Sequence, residues 1–142
     1  MESERTLAMI KPDAVARGLV PRILSRIQES GLKILALKSL KLTASDAGGF
    51  YEVHKGKHFY EPLCSFMSSG PIIALVLEGE DAIARWRKLM GATDPAEADN
   101  GTIRKELAES KERNVVHGSD SKETAAFEIS FFFSGIELTG IK

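Results

Sequence analysis

Apolar residues recur along this chain in two rhythms, and the change from one to the other outlines the elements. RTLAMI (5–10) is a short strand-like run, and Lys11-Pro12-Asp13 stops it, since proline lacks an N–H and restricts its neighbour. Val20, Ile23, Leu24 and Ile27 then stand at helical spacing, with Pro21 suited to a first turn and Gly31 to a C-terminal cap, predicting a helix over 20–31. KILALKSLKL (33–42) predicts a second strand. Residues 43–60 read as short helix and loop, with Thr43 or Ser45 as the N-cap. Leu63, Phe66 and Met67 return to helical spacing within 59–70.

PIIALVL (71–77) is a continuous apolar run bounded by turn formers, the pattern of a buried strand. Ile83, Trp86, Leu89 and Met90 predict a helix over 80–91 that ends at glycine. GATDPAEADNG (91–101) is rich in turn formers and predicts an ordered loop, followed by a short helix in TIRKELAES. Asp120 and Glu123 suggest a capping box after the turn at 114–121. FEISFFF (127–133) alternates, with Phe127, Ile129, Phe131 and Phe133 on one side and Glu128 on the other, predicting the last strand.

Four strands with two main crossover helices predict an α+β, ferredoxin-like βαββαβ sandwich: a four-stranded antiparallel sheet, helices on one face, and short helical insertions. The competitor is a flavodoxin-like parallel sheet, which normally has a fifth strand and glycine-rich strand-to-helix turns. No internal repeat interrupts the pattern, so residues 1–142 are expected to form one domain. That length suffices to bury roughly 70% of the unfolded surface.

Composition narrows the function classes. Nineteen basic residues against 20 acidic ones leave a net charge of −1, so no bulk field draws the chain to nucleic acid or membrane. Basic residues, where they matter, must act as a local cluster. Cys64 is the single cysteine, which excludes an intrachain disulfide and fits a reducing compartment. The N-terminus MESERTLAMIKP resembles neither a signal nor a transit peptide, and the expected location is cytoplasmic.

Candidate chemistry centres on NVVHGSDS (114–121), which sets His117 among an amide, a glycine and hydroxyls. A neutral imidazole attacks phosphorus or carbonyl carbon once a partner decides which nitrogen carries the proton. Gly118 allows the backbone to turn and leaves space beside the ring, while Glu128, on the polar side of the next strand, can reach back to orient it. The alternative is that His117 only ends a strand while its neighbours cap a helix. Lys11, Arg87 and Arg104 each sit at an element end beside turn-forming segments, where phosphate sites are built, and Thr93 adds a hydroxyl. Each could equally be a solvated surface charge. Neither a G-x-x-x-x-G-K-[ST] nor a G-x-G-x-x-G loop is present, so a phosphate site must use side chains. His54 and His58 lack a third metal ligand, and Phe59 is either a core anchor or an exposed stacking surface.

Taken together, IKPDAV (10–15), SGP (69–71), LMGATDPAEA (89–98), GTIR (101–104) and NVVHGSDS (114–121) resemble the nucleoside diphosphate kinase family over essentially the whole chain. The resemblance implies a ping-pong enzyme that moves the γ-phosphate of a nucleoside triphosphate, usually ATP, onto a nucleoside diphosphate. By motif position His117 would be the nucleophile through Nδ1, with Glu128 and Ser119 orienting it. Lys11, Arg87, Thr93 and Arg104 would hold phosphates, Tyr51 would lie near Lys11, Asn114 would contact the sugar 3′-OH, and Phe59 would stack on the base. Mg²⁺ would bridge nucleotide phosphates rather than occupy a protein cage. A homo-oligomer built from dimers, tetramer or hexamer, is also implied, with neither membrane nor specific nucleic acid as a partner. Two positions depart from the family pattern: Asn100 stands where proline often precedes the glycine of GTIR, and Lys57-His58 stands where a basic residue and proline are frequent. A phosphocarrier, taking phosphate on histidine from another protein, would share His117 without needing Phe59, Asn114 or the Arg87/Arg104 pair. A ferredoxin-like RNA-binding module would need a basic face and an aromatic signature that this sequence lacks.

Overall fold

A computed structural model describes residues 3–138. Its elements run β1 (Glu4–Ile10), α1 (Pro12–Ala16), α2 (Val20–Glu29), β2 (Lys33–Leu40), α3 (Ala44–Phe50), α4 (Tyr60–Met67), β3 (Ile72–Gly79), α5 (Ala82–Met90), α6 (Ile103–Leu107), β4 (Val116–Gly118) and α7 (Lys122–Phe132). Single 3₁₀ turns lie at Glu52–His54 and Ile136–Leu138. The strands form one sheet in the order β2-β3-β1-β4, every neighbouring pair antiparallel. This is the ferredoxin-like arrangement, and the parallel alternative is excluded.

Successive side chains of a strand point to opposite faces, and here both faces are covered. Ala8, Ile10, Leu75 and Leu77 pack beneath Ile23 and Ile27 of α2 and Trp86 and Met90 of α5, the two crossover helices. Leu7, Met9, Ala74 and Val76 face the other way, against Ala47 and Phe50 of α3, Cys64 and Met67 of α4, and Ala125, Ile129 and Phe132 of α7. Two-sided burial explains why β3 reads as an unbroken apolar run rather than an alternating one. In β2 the register shifts between Ile34 and Ala36, a bulge that lets Leu35 and Ala36 join the same core cluster. Thr43 is the N-cap of α3, accepting from Asp46 N–H while Asp46 returns the bond, a capping box.

The last strand is not where the sequence pattern put it. Residues 122–132 are helical, and the fourth strand is the three-residue segment Val116–Gly118, which carries His117. Ala125, Ile129 and Phe132 point inward at helical spacing, whereas Phe127 and Phe131 remain exposed. The apparent alternation of aromatics therefore mixed buried and exposed positions. The helix start also differs: Ser121 and Thr124, not Asp120 and Glu123, form the reciprocal capping box.

Candidate active site

Strand β4 is held at the edge of the sheet by β1, with Met9 opposite His117 and Ile10 opposite Val116. The backbone of His117 is pinned from the other face, where Trp86 Nε1 of α5 donates to its carbonyl at 3.0 Å. The imidazole projects to the α7 side. Its Nε2 lies 2.9 Å from Glu128 Oε1, and Ser119 Oγ donates to the same oxygen at 2.8 Å. Ser119 Oγ itself accepts from Leu7 N–H, so a β1 amide, a β4 hydroxyl and an α7 carboxylate form one chain ending on the ring. A carboxylate on Nε2 favours the tautomer with the proton there, leaving Nδ1 with a lone pair. Glu128 thus reaches His117 from a helix, not from the strand expected for it.

Aromatic packing fixes the plane of the ring. Phe50 meets it edge-on with centroids 5.5 Å apart, and Tyr51 does so at 6.4 Å. The Tyr51 hydroxyl is buried without a hydrogen-bond partner, and burial, followed by the nearby Glu128 charge, pushes its ionisation up. It is therefore a neutral donor. Tyr51 stacks on His54, and His54 lies 5.1 Å from the ring of Phe59, which is 38% exposed. Lys57 approaches the Phe59 face at 5.7 Å. His54 and His58 both contact the Phe59 ring, and His54 Nδ1 is buried without a hydrogen-bond partner.

A second cluster lies at the C-terminal end of β1. Lys11 is buried, and its Nζ donates to Asn114 Oδ1 at 2.7 Å. Burial, then the positive charge of Arg104, lowers its pKa to about 8, against an opposing pull from Asp13. Arg104 donates from Nε to Asn114 O, from one terminal nitrogen to Gly91 O and from the other to Val116 O, at 3.2, 2.9 and 2.8 Å. Burial and the neighbouring Arg87 lower its pKa to about 10. A guanidinium has five N–H donors, so two remain for a ligand. Asn114 Nδ2 donates to the carbonyls of Thr93 and Lys111, leaving Oδ1 with one further lone pair. Arg87 is more exposed and pairs with Asp120 at 2.6 Å. The Thr93 hydroxyl sits in the exposed 91–101 loop, which Arg26 of α2 ties down through Gly101 O and Glu106.

Between the clusters the chain makes an unusual bend. Val115 is fully buried with φ +75°, and Val116 N–H donates to Asn114 O at 2.9 Å, closing a three-residue γ-turn. A β-branched residue in that region costs on the order of 1–3 kcal/mol and persists only where its surroundings over-determine it.

Hydrogen bonds and ring contacts gather the residues expected at the site into two sets. His117, Glu128 and Ser119 form one, which Tyr51 and, through His54, Phe59 join by ring contacts; Lys11, Asn114 and Arg104 form the other, beside Arg87 and the Thr93 carbonyl. Gly118 has a different role from the one expected. It lies within β4 and makes no turn, and a Cβ there would meet Trp86 Cδ1 at 2.6 Å and Met90 Cε at 2.7 Å. Its missing side chain makes room for Trp86, not for the imidazole. Sequence reasoning gave Trp86 and Asp13 no part in the site and did not single out Phe50. Only Asp13, next to the Lys11-Pro12 break, carried a signal as a carboxylate at an element end.

Comparisons with known proteins agree with one another. The family model described as nucleoside diphosphate kinase matches residues 4–138. The nucleoside diphosphate kinase of Oleidesulfovibrio alaskensis is 56% identical, covering 97% of this chain and 99% of the relative. That of Geotalea daltonii is 58% identical, covering 95% and 98%. Among solved structures, the Aquifex aeolicus nucleoside diphosphate kinase superposes with a TM-score of 0.94 at 46% identity, covering 96% of this chain and 99% of its own. The Halobacterium salinarum nucleoside diphosphate kinase, solved in complex with CDP, gives 0.94 at 40% identity, with 99% and 94% covered.

Proposed function

This chain belongs to the nucleoside diphosphate kinase family, and from that premise we propose that His117 carries the phosphoryl group between two nucleotides. The reaction is transfer of a γ-phosphate from a nucleoside triphosphate to a nucleoside diphosphate through a phosphohistidine. In the first half, the Nδ1 lone pair attacks the γ-phosphorus, and the bond to the β–γ bridging oxygen breaks. The diphosphate leaves with that electron pair. In the second half, a terminal oxygen of an incoming diphosphate attacks the same phosphorus, and the P–N electrons return to Nδ1. The observation that carries the reading is the 2.9 Å contact between His117 Nε2 and Glu128, which leaves Nδ1 for attack and stabilises positive charge on the ring.

Lys11, Arg87, Arg104 and Thr93 hold the phosphates, Asn114 Oδ1 receives the sugar 3′-OH, Phe59 stacks on the base and the Tyr51 hydroxyl donates into the site. Phosphoryl transfer asks mainly for positioning and charge neutralisation. One cation about 4 Å from a phosphate charge is worth roughly 4 kcal/mol at an effective dielectric of 20, so three can hold a triphosphate without a glycine-rich loop. Among the described residues no group of three His, Cys, Asp or Glu side chains could hold a metal, and this basic donor set suits Mg²⁺ only as part of a nucleotide–metal complex. Bound through the phosphates, Mg²⁺ would supply further neutralisation of their charge.

The reading extends to one domain over 1–142, a cytoplasmic location and a homo-oligomer built from dimers. The open edge of β2, with Leu37 42% exposed, supports association, and free, buried Cys64 suits a reducing compartment. No helix among the described residues is long and apolar enough to cross a membrane. The test is to incubate the pure protein with γ-labelled ATP and then add unlabelled diphosphate. Acid-labile protein label should appear, pass to the added nucleotide, and be abolished in His117→Ala. Label retained by that variant, or label that no diphosphate can remove, would refute the assignment.

A further inference from the structure

We infer that Asp13 is a positioning residue: its buried carboxylate holds Val115 in the positive-φ γ-turn from which Asn114 and His117 are presented to the nucleotide. The inference rests on the site assignment above and adds a residue to it. Asp13 is the second residue of α1, 5% exposed, and its Oδ2 accepts from Val115 N–H at 3.2 Å. Its other oxygen, Oδ1, is buried with no partner. A buried, half-satisfied carboxylate is an expensive feature for a fold to keep on packing grounds alone. What it does here is grip the one amide at the centre of a strained turn.

The remaining grips on the turn are complementary. Lys11 N–H donates to Val115 O at 2.8 Å, and Arg104 holds the flanking carbonyls of Asn114 and Val116. Each of these constrains a carbonyl; Asp13 alone constrains the Val115 N–H. Release of that N–H lets Val115 rotate toward negative φ, where a β-branched residue is far more at ease. Such a rotation alters the angle between Asn114, which lies before the turn, and His117, which lies two residues after it. Substrate is held at one end of the turn and attacked from the other, so the bend sets the attack geometry.

The test is a set of substitutions at both ends of the bond. Asp13→Ala should lower kcat/KM for a diphosphate about 10- to 100-fold, the size expected of a misplacement near 1 Å. Asp13→Asn keeps an acceptor for Val115 N–H and should stay close to the parent. Glycine adopts positive φ freely, so Val115→Gly should restore most of the activity of Asp13→Ala, whereas Val115→Ala, which also removes the side chain but not the strain, should not. If Asp13→Ala fails to fold, Asp13→Ser, too short to reach the amide, is read by the same comparison. Parental kinetics in the Asp13→Ala protein would overturn the inference, as would equal rescue by Gly and Ala. So would an Asp13→Asn variant as impaired as Asp13→Ala, since the carboxylate would then act through its charge on Lys11. Failure of the parent to label itself with ATP would instead count against the phosphotransfer reading. In that case the turn is still tested by melting temperature: Val115→Gly must be at least as stable as Val115→Ala.

Discussion

Glu128 and Lys11 show how single side chains divide the work of the site. Glu128 lies on Nε2 of His117 and accepts from Ser119, so the role proposed for it is to set the tautomer rather than to bind phosphate. Glu128→Gln keeps the shape and removes the charge. The single-turnover phosphorylation rate should fall by about 10²-fold or more while nucleotide affinity stays near the parent value. Rapid-quench labelling beside equilibrium binding separates the two, and a collapse of affinity at an unchanged rate would refute the role. Lys11 makes a different prediction because burial brings its pKa down to about 8. Below that value the ammonium is charged and can bind phosphate; above it the amine is neutral. The kcat/KM for nucleotide should therefore fall as pH rises through about 8, whereas kcat at saturation should fall later, because bound phosphate favours the charged form. An arginine at position 11 stays protonated through pH 8, so Lys11→Arg should lose the fall centred there and keep only a later one, where Arg104 titrates at about 10. A profile that is flat from about pH 7 to 10 in the parent would show that Lys11 is not titrating in the free enzyme.

At the scale of elements, the strand β4 is the hinge of the design. It is only three residues long, yet it is paired to β1, covered by α5 on one side and by α7 on the other. Gly118 is where that crowding is greatest, because an added Cβ would run into the indole of Trp86. Met90 can yield, being the end of a flexible chain, but the indole is held by its bond to His117 O. Gly118→Ala should therefore destabilise the fold by about 2 kcal/mol, the usual range for overpacking, and slow histidine phosphorylation as well. Thermal denaturation and the labelling rate check both halves. An unchanged melting temperature with normal labelling would mean that the indole has room to move.

For the whole molecule, the nucleotide contacts assigned here are to phosphate, sugar hydroxyl and ring face. None reads a base edge, and stacking tolerates every base because each has a π-face. Discrimination among adenine, guanine, cytosine and uracil diphosphates should stay within about tenfold in kcat/KM. A 3′-deoxy diphosphate should suffer more than any change of base, since the Asn114 acceptor and its Lys11 partner then lose a group inside a site that works by positioning. Steady-state kinetics over the four bases and one 3′-deoxy analogue decide the point. A preference above about a hundredfold for one base would reveal a side chain reading its edge.

How much of this was legible beforehand divides along a physical line. Helical spacing located α2 and α5, which each bury one face, and apolar runs located β1, β2 and β3, the last unbroken because both its faces are covered. His117, Lys11, Arg104 and Glu128 could be singled out as candidates because phosphate chemistry demands particular residue types, and those leave their identity in the sequence. The fourth strand was not legible, since three residues hold no period, and α7 was misread because its exposed Phe127 and Phe131 imitate alternation. Nor could the sequence show that Glu128 comes from a helix, that Gly118 makes way for Trp86, or that Asp13 grips Val115 from 102 residues away. Residue type is a local property and can be read one position at a time. Which atom meets which across the sheet depends on packing among distant segments, and only the folded chain decides that.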